Sequence, residues 1–207
     1  MVNTSKIYLN SFNPLSINKN GMKAIEIFNL PKYVDGSCRR EPDFENELPC
    51  ITGLCRPGFA EKLKVKDIIV YVTNKKGIGV RKVIAVLEVI KIFENHRQAA
   101  NWYIKENKSI PNNIMVDETK PFDLDKTHRL HGIKEIFNDI ELLKKWNLLY
   151  ELRSRKKQKV VQCRVLYKEL FFPTTLDESK FKRKLTAQNP PVLNQEDWKT
   201  LKELIQL

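Results

Sequence analysis

The sequence predicts an α+β fold, built as a small, strongly bent antiparallel sheet or partly closed β-barrel with helices inserted after its longest strand and at its C-terminal end. Two β-branched runs, at residues 67–73 and 80–93, predict the central strands, and the Gly-containing loop NKKGIG between them is typical of a hairpin. The second run is long enough to bend around a barrel. Asn194 predicts the start of the C-terminal helix, because apolar residues share one face between residues 198 and 205.

The N-terminal part of the chain carries weaker signals. Residues 1–21 are polar and rich in asparagine, and we expect this segment to be loosely ordered. Residues 23–30 (KAIEIFNL) fit a short strand. Residues 31–59 show no clear period and hold three of the four cysteines. This long segment therefore leads to no prediction of secondary structure.

The C-terminal half alternates between helical and extended patterns. A helical pattern begins at Asn95 and ends before a polar loop at residues 107–113. A second helix is expected over residues 134–146. Residues 147–153 and 159–170 alternate like two strands, separated by a basic turn. Strands therefore outnumber helices in the predicted core.

Length and composition limit the class of protein. The chain has 207 residues, of which 42% are hydrophobic and 30% are charged, which suits a single globular domain over residues 1–207. No apolar run is long enough to cross a bilayer, and the N-terminus lacks a basic-then-apolar signal pattern. We therefore expect a cytoplasmic protein with reduced cysteines and no membrane partner. None of these features predicts an oligomeric state.

The chain is strongly basic. It has 37 Lys and Arg residues against 25 Asp and Glu residues, a net charge of +12. Eleven basic and four acidic residues fall within residues 150–184, so this segment alone carries +7. Nucleic acid, DNA or RNA, or a nucleotide is the expected partner, because each neutralised phosphate releases a condensed counterion. A charge that only keeps the protein in solution and an acidic protein partner remain alternatives.

Residues 35–73 carry the most specific pattern. An Asp-Gly turn at Asp35 precedes the run Cys-Ile-Thr-Gly-Leu-Cys-Arg-Pro, which starts at Cys50, and a Lys-Asp dipeptide then enters an apolar strand at Asp67. This order resembles the second family of nucleotide-modification-associated domains. In the pattern of that family, an Asp-x-Gly turn precedes Cys-Thr-Leu-Ala-Thr-Cys-Lys-Pro, and a Gly-Asp dipeptide opens the strand.

The residues that match this pattern, with arginine in place of its lysine, are Asp35, Cys50, Cys55, Arg56, Pro57 and Asp67. Three features depart from it: the glycine follows Asp35 directly, Lys66 replaces the glycine of the dipeptide, and Thr52 lies one place later than the threonine of the family. An aspartate that opens an apolar strand is also typical of the PUA, ASCH and EVE barrels, in which it leads into the strand that lines a nucleobase pocket. This wider resemblance implies a PUA-like barrel. Both resemblances imply nucleic acid or nucleotides as partners, and neither implies catalysis.

A protein that reads a nucleobase needs stacking surfaces, fixed hydrogen-bonding groups for the base edge and cations for the phosphates. The candidate nucleobase-binding residues are Asp35, Thr52, Cys55, Tyr71 and Trp102, with Phe44 as a further stacking candidate. The candidate phosphate-binding residues are Arg39, Arg40, Arg56, Arg153, Arg155, Lys156 and Lys157. We therefore predict a binding domain for a normal or modified base beside the segment from Asp35 to Arg56, linked to nucleic-acid modification or defence, with no cofactor and no metal.

Other chemistries remain as alternatives. An enzyme acting on nucleotides or nucleobases would use Asp35, Cys55 and Arg56, because an adjacent arginine lowers the pKa of a thiol. Zinc is less favoured, since the cysteines form no Cys-x-x-Cys pair. His128 and His131 flank an arginine and are candidates for an anionic site or for a solvated loop. The glycines form no phosphate-binding loop, which argues against nucleoside triphosphate hydrolysis.

Overall fold

The fold is built around one sheet. The computed structural model describes residues 5–17, 19–75, 78–122, 140–181 and 191–207. Its strands are β1 (Ile7–Phe12), β2 (Cys50–Ile51), β3 (Ile68–Thr73), β4 (Arg81–Phe93), β5 (Val160–Lys168) and β6 (Thr175–Leu176). The strands follow the order β1-β3-β4-β5-β2 across the sheet, with β6 paired to one end of β4.

The sheet is mixed and curls into a half-barrel, so the predicted α+β class with a partly closed barrel is confirmed. It is not purely antiparallel as predicted, because β1 runs parallel to β3, from Ile7 opposite Ile68 to Phe12 opposite Thr73. The long strand β4 pairs with β5 through two register shifts, and such irregularities bend a strand and increase its twist. The curl brings the two edge strands, β1 and β2, towards the same open side.

Five helices occur in the described residues: α1 (Lys19–Phe28), α2 (Pro57–Ala60), α3 (His96–Lys105), α4 (Ile140–Lys156) and α5 (Gln195–Ile205). Two of their N-caps agree with the sequence predictions. The side chain of Asn95 accepts a hydrogen bond from Gln98 N at 2.8 Å, and that of Asn194 accepts one from Asp197 N at 2.7 Å. Among the described helices, none is both long and apolar enough to cross a membrane.

Both faces of the sheet are covered. One face packs around Phe12, Phe44 and Tyr71, whereas Trp198 and Leu201 of α5 pack against the opposite face. This arrangement explains why β1 is buried although it is an edge strand. All six of its residues are buried, because an edge strand covered on both faces exposes neither set of alternating side chains. The segment predicted to be loosely ordered therefore contains a strand of the sheet.

Two predicted strands are wrong. Residues 23–30 lie mostly in α1, where Gly21, Ala24 and Ile25 are buried at the three- and four-residue spacing of a helix. Residues 147–153 lie in α4, where Tyr150 and Ser154 are buried one turn apart. The helix expected at 134–146 lies partly outside the described residues, and α4 runs beyond its predicted end.

Candidate functional site

A cavity of about 210 Å³ lies where the two edge strands of the half-barrel approach each other. Strand β1 contributes Asn10 to Phe12, and the loop after β2 contributes residues 52, 55 and 56. Tyr71 of β3, two carboxylic acids, Asp35 and Glu41, and the amides of Asn13 and Asn74 also line the cavity. We refer to the segment from Cys50 to Arg56 as the motif loop.

Arg56 joins the motif loop to the opposite edge strand. Its Nη1 donates to the side-chain oxygen of Asn10, and its Nη2 donates to the carbonyl oxygen of Ser11 at 2.6 Å. The charge-assisted bonds close the gap between the two edges of the sheet. Arg56 therefore lines the cavity as predicted, but its guanidinium is engaged by protein groups and is not an open phosphate ligand.

Asp35 is both a turn residue and a wall of the cavity. Its Oδ1 accepts hydrogen bonds from Ser37 N at 3.0 Å, from the Ser37 hydroxyl and from Glu41 N at 3.2 Å. Burial raises the pKa of Asp35, while the hydrogen bonds from Ser37 and Glu41 and the nearby Arg40 oppose that rise. The turn thus fixes a carboxyl group of raised pKa on the cavity.

Glu41 is a second carboxylic acid on the cavity, in addition to the residues predicted from the sequence. Its side chain accepts hydrogen bonds from Thr52 N at 2.7 Å, from the Thr52 hydroxyl and from Asn113 Nδ2 at 2.9 Å. Burial raises its pKa from 4.5 to about 7, against the lowering effect of these hydrogen bonds, and the charge of Asp35 raises it further. The one sequence feature that could have predicted Glu41 as a site residue is its position in the same segment as Asp35.

Ser11 supplies a polar atom without a partner. Its side chain is only 5% exposed, it lines the cavity, and its hydroxyl has no hydrogen-bond partner. A buried hydroxyl that leaves both its donor and its acceptor capacity unused is costly. A polar guest in the cavity is the simplest group that would satisfy it.

Tyr71 lines the cavity from the core side. Its ring meets those of Phe44 and Phe12 edge to face, with centroids at 5.1 and 6.2 Å. Its hydroxyl bonds to the side chain of Asn10, and burial raises its pKa well above the usual range. Tyr71 is therefore a neutral wall residue, whereas Phe44 packs behind it in the core and does not line the cavity.

The four cysteines have different environments, and no disulfide joins them within the described chain. Cys55 is exposed and lines the cavity. Cys50 is buried, its thiol lies 3.0 Å from the Tyr103 hydroxyl, and burial raises its pKa. Within the described residues, no three His, Cys, Asp or Glu side chains form a group that could hold a metal ion.

Three residues predicted for the site, Trp102, Arg39 and Arg40, do not line the cavity. Trp102 lies on α3 against Phe93 and Tyr103, so it cannot stack on a guest in this cavity. Arg39 is buried and donates to Asn147 Oδ1 at 2.8 Å.

Arg40 is the most deeply buried of the predicted phosphate ligands. It is 1% exposed, pairs with Glu45 at 3.3 Å and lies 4.2 Å above the Phe122 ring. The phosphate roles predicted for Arg39 and Arg40 are therefore corrected to structural ones, because neither guanidinium reaches the surface.

The basic end of α4 lies against the motif loop. Arg153 Nη1 donates to the carbonyl oxygen of Leu54 at 2.8 Å. Gly53 is so close to Lys157 that an added Cβ would lie 2.5 Å from the Lys157 Cβ. Between these contacts, Arg155 and Lys156 are exposed. The four residues predicted as phosphate ligands in and beside a basic turn, Arg153, Arg155, Lys156 and Lys157, thus lie at the C-terminal end of α4 instead. We call them the basic cluster of α4, and it lies beside the motif loop.

Two further candidates cannot be placed. His128 and His131, together with the basic residues 182–184, lie outside the described residues.

Comparison of this chain with protein-family models, with curated proteins and with solved structures found no match.

Proposed function

We propose that the cavity binds one nucleobase, normal or modified, and that the basic cluster of α4 binds the adjoining phosphate backbone. The observation that carries this proposal is the cavity itself, in which a buried, unpartnered Ser11 hydroxyl and two carboxylic acids converge beside the basic cluster. The resemblance of residues 35–73 to nucleotide-modification-associated domains, and of the strand opened by Asp67 to PUA-like barrels, favours the same class of guest.

The size and chemistry of the cavity suit a base. Sites for drug-sized ligands occupy roughly 300–1,000 Å³, so a cavity of about 210 Å³ fits a smaller, single group. A base edge presents N–H donors and ring or carbonyl acceptors in one plane. The carboxyl group of Asp35 can accept from a donor, and the Ser11 hydroxyl can donate to an acceptor.

The basic cluster would supply affinity without reading the sequence. Its exposed members, Arg155 and Lys156, follow Arg153, which bonds to the motif loop, and would contact the backbone next to a bound nucleotide. Arg155 also lines a second cavity, with His96 and Arg97 of α3. The logarithm of the binding constant should therefore fall with the logarithm of the salt concentration, by about 0.9 for each phosphate contact to duplex DNA.

The test is a salt titration by fluorescence anisotropy with short labelled DNA and RNA. We expect the double variant Arg155→Ala/Lys156→Ala to bind duplex DNA more weakly and with a slope smaller by about 1.8. The double variant Lys105→Ala/Lys199→Ala removes the same charge from exposed positions on α3 and α5 and should leave the slope nearly unchanged. Negligible binding of DNA and RNA at low salt, or equal slopes for the two variants, would overturn the proposal.

The cavity also fits an enzyme, because Glu41 has a pKa of about 7 and the exposed thiol of Cys55 shares the same cavity. A carboxyl group with a pKa near the working pH can both take and return a proton. Replacing Cys55 by serine distinguishes the two functions, since it should leave nucleotide binding largely intact but abolish turnover if the thiol is a nucleophile.

A further inference from the structure

An adjacent pair of exposed aromatic residues projects from the turn between β5 and β6. Phe172 is 86% exposed and Phe171 is 51% exposed. Single exposed apolar residues are common on proteins, but two neighbouring phenylalanines at one point present an unusually large apolar surface to water. We call this pair the aromatic tip.

The turn that carries the aromatic tip is fixed at several points. The Glu169 carboxylate accepts hydrogen bonds from Phe171 N at 2.8 Å and from Phe172 N at 3.1 Å. Leu170 is buried in the core beside them, and Thr174 O accepts a hydrogen bond from Val83 N at 2.8 Å. The two rings are thus presented by a held turn, which lowers the entropic cost of using them in a contact.

The base of the turn that carries the aromatic tip is linked to the cavity wall. Tyr33 N donates to the carbonyl oxygen of Leu170 at 3.1 Å, and Asp35, two residues further on, lines the cavity. Lys168, just before the turn, is opposite Ala85 of β4, which is opposite the cavity residue Tyr71 of β3. About two strand spacings, roughly 10 Å, therefore separate the start of the turn from this part of the cavity wall.

Lysines flank the same turn. Lys82 Nζ lies 3.4 Å from the carbonyl oxygen of Pro173, and Lys168 Nζ donates to the carbonyl oxygen of Phe44 at 2.9 Å. Flat apolar rings beside ammonium groups match a partner that has both stacked rings and negative charge. Nucleic acid combines these two features.

We infer that the aromatic tip inserts into a base stack next to the nucleotide whose base occupies the cavity. This inference rests on the proposed function and narrows its substrate to a polynucleotide. Removing one base from a stack leaves its neighbours without a partner, and an apolar wedge commonly fills such a gap. The exposed ring of Phe172 would take the place of the extruded base. The flanking lysines, which are bonded to protein carbonyls, would attract the backbone by their charge.

The experiment compares a short DNA duplex carrying a central single-nucleotide bulge with the four deoxynucleoside monophosphates, and repeats the comparison with RNA. A 2-aminopurine beside the bulge reports loss of stacking as a rise in fluorescence. We expect Phe172→Ala to weaken binding of the bulged duplex roughly 5- to 150-fold, equivalent to about 1–3 kcal/mol, and to reduce the fluorescence rise. Binding of the monophosphates should not change.

Three further variants sharpen the result. Phe172→Trp should restore binding because it keeps a stacking ring, whereas Phe172→Leu should restore it only in part. Phe28→Ala is the control, because it removes the ring of another exposed phenylalanine, on α1. If wild-type protein binds the bulged duplex and Phe172→Ala binds it equally well, or loses the monophosphates to the same extent, the inference is overturned. If wild-type protein binds neither probe, the proposed function itself fails.

Discussion

Replacing Glu41 by glutamine should remove a pH dependence that this carboxyl group gives to folding. In the folded chain its pKa is about 7, compared with 4.5 for the unperturbed group, because burial outweighs the hydrogen bonds from Thr52 and Asn113. Between these two values the folded state holds a proton that the unfolded state has lost. Stability conferred by this group is therefore complete below about pH 4.5 and is lost as the pH rises through about 7.

The magnitude follows from the two pKa values. At 1.36 kcal/mol for each pH unit, the interval from 4.5 to about 7 corresponds to about 3 kcal/mol of unfolding free energy. Glutamine cannot ionise, but its amide has two N–H donors in place of one carboxyl oxygen, and the partners of Glu41 all donate to it. Glu41→Gln should therefore be less stable than the wild type at acid pH, where it loses a hydrogen bond. It should not share the fall of up to about 3 kcal/mol that the wild type undergoes as the pH rises to about 7.

Urea unfolding at constant ionic strength, from the acid to the alkaline side of neutrality, measures this difference. The control is Glu203→Gln on α5, which makes the same substitution at an exposed position away from the cavity. Asp35 also has a raised pKa, so the quantity to compare is the difference between wild type and variant at each pH. An unchanged slope in Glu41→Gln would refute the claim that the folded state keeps a proton on this residue.

Three substitutions test the backbone around the site by thermal or chemical unfolding. Lys66→Gly should stabilise the fold by about 1 kcal/mol, because Lys66 has φ 74°, in the left-handed region. Relief of that strain should exceed the stability lost through the added entropy of the unfolded chain. An unchanged free energy of unfolding would argue against strain at Lys66. Gly53→Ala should lower the free energy of unfolding by about 1–3 kcal/mol, since the alanine Cβ would lie 2.5 Å from the Lys157 Cβ. It should also weaken nucleic-acid binding. Wild-type stability together with wild-type binding would contradict the contact. Asp67→Ala should cost about 2–4 kcal/mol, because it removes the acceptor from two backbone N–H groups at 2.8 and 2.9 Å, and Asp67→Asn should recover part of the loss. Equal stability of the alanine variant and wild type would exclude that role.

Elements with strong local signals were predictable from the sequence. The β-branched runs become β3 and β4, and residues 160–168 form β5 within the predicted strand. The helices α3 and α5 begin at the predicted caps, because a cap depends on neighbouring residues only. Strand β1 was missed, since its polar side chains Asn10 and Ser11 are buried by distant parts of the chain. Segments with ambiguous periodicity, as in α1 and α4, take their form from tertiary packing.

The residues of the candidate site were also predictable only in part. The structure brings Asp35, Thr52, Cys55, Arg56 and Tyr71 to one cavity, and all five lie in the pattern that the sequence singles out.

Burial separates the residues of this pattern into different roles. Glu41 gains its unusual pKa only through burial, which no local pattern records. Arg39 and Arg40 appear as surface charges in the sequence, yet the fold surrounds them with partners. Charged residues are seldom fully buried, so composition alone favours the wrong role for them.

The motif loop has two neighbours. It lines the cavity through residues 52, 55 and 56, and Gly53 lies so close to Lys157 that the Lys157 Cβ occupies the space that a methyl group would need. The motif loop therefore serves at once as the cavity wall and as the surface on which the basic end of α4 packs. Under the proposed function, a change in this loop should alter binding of the base and of the backbone together.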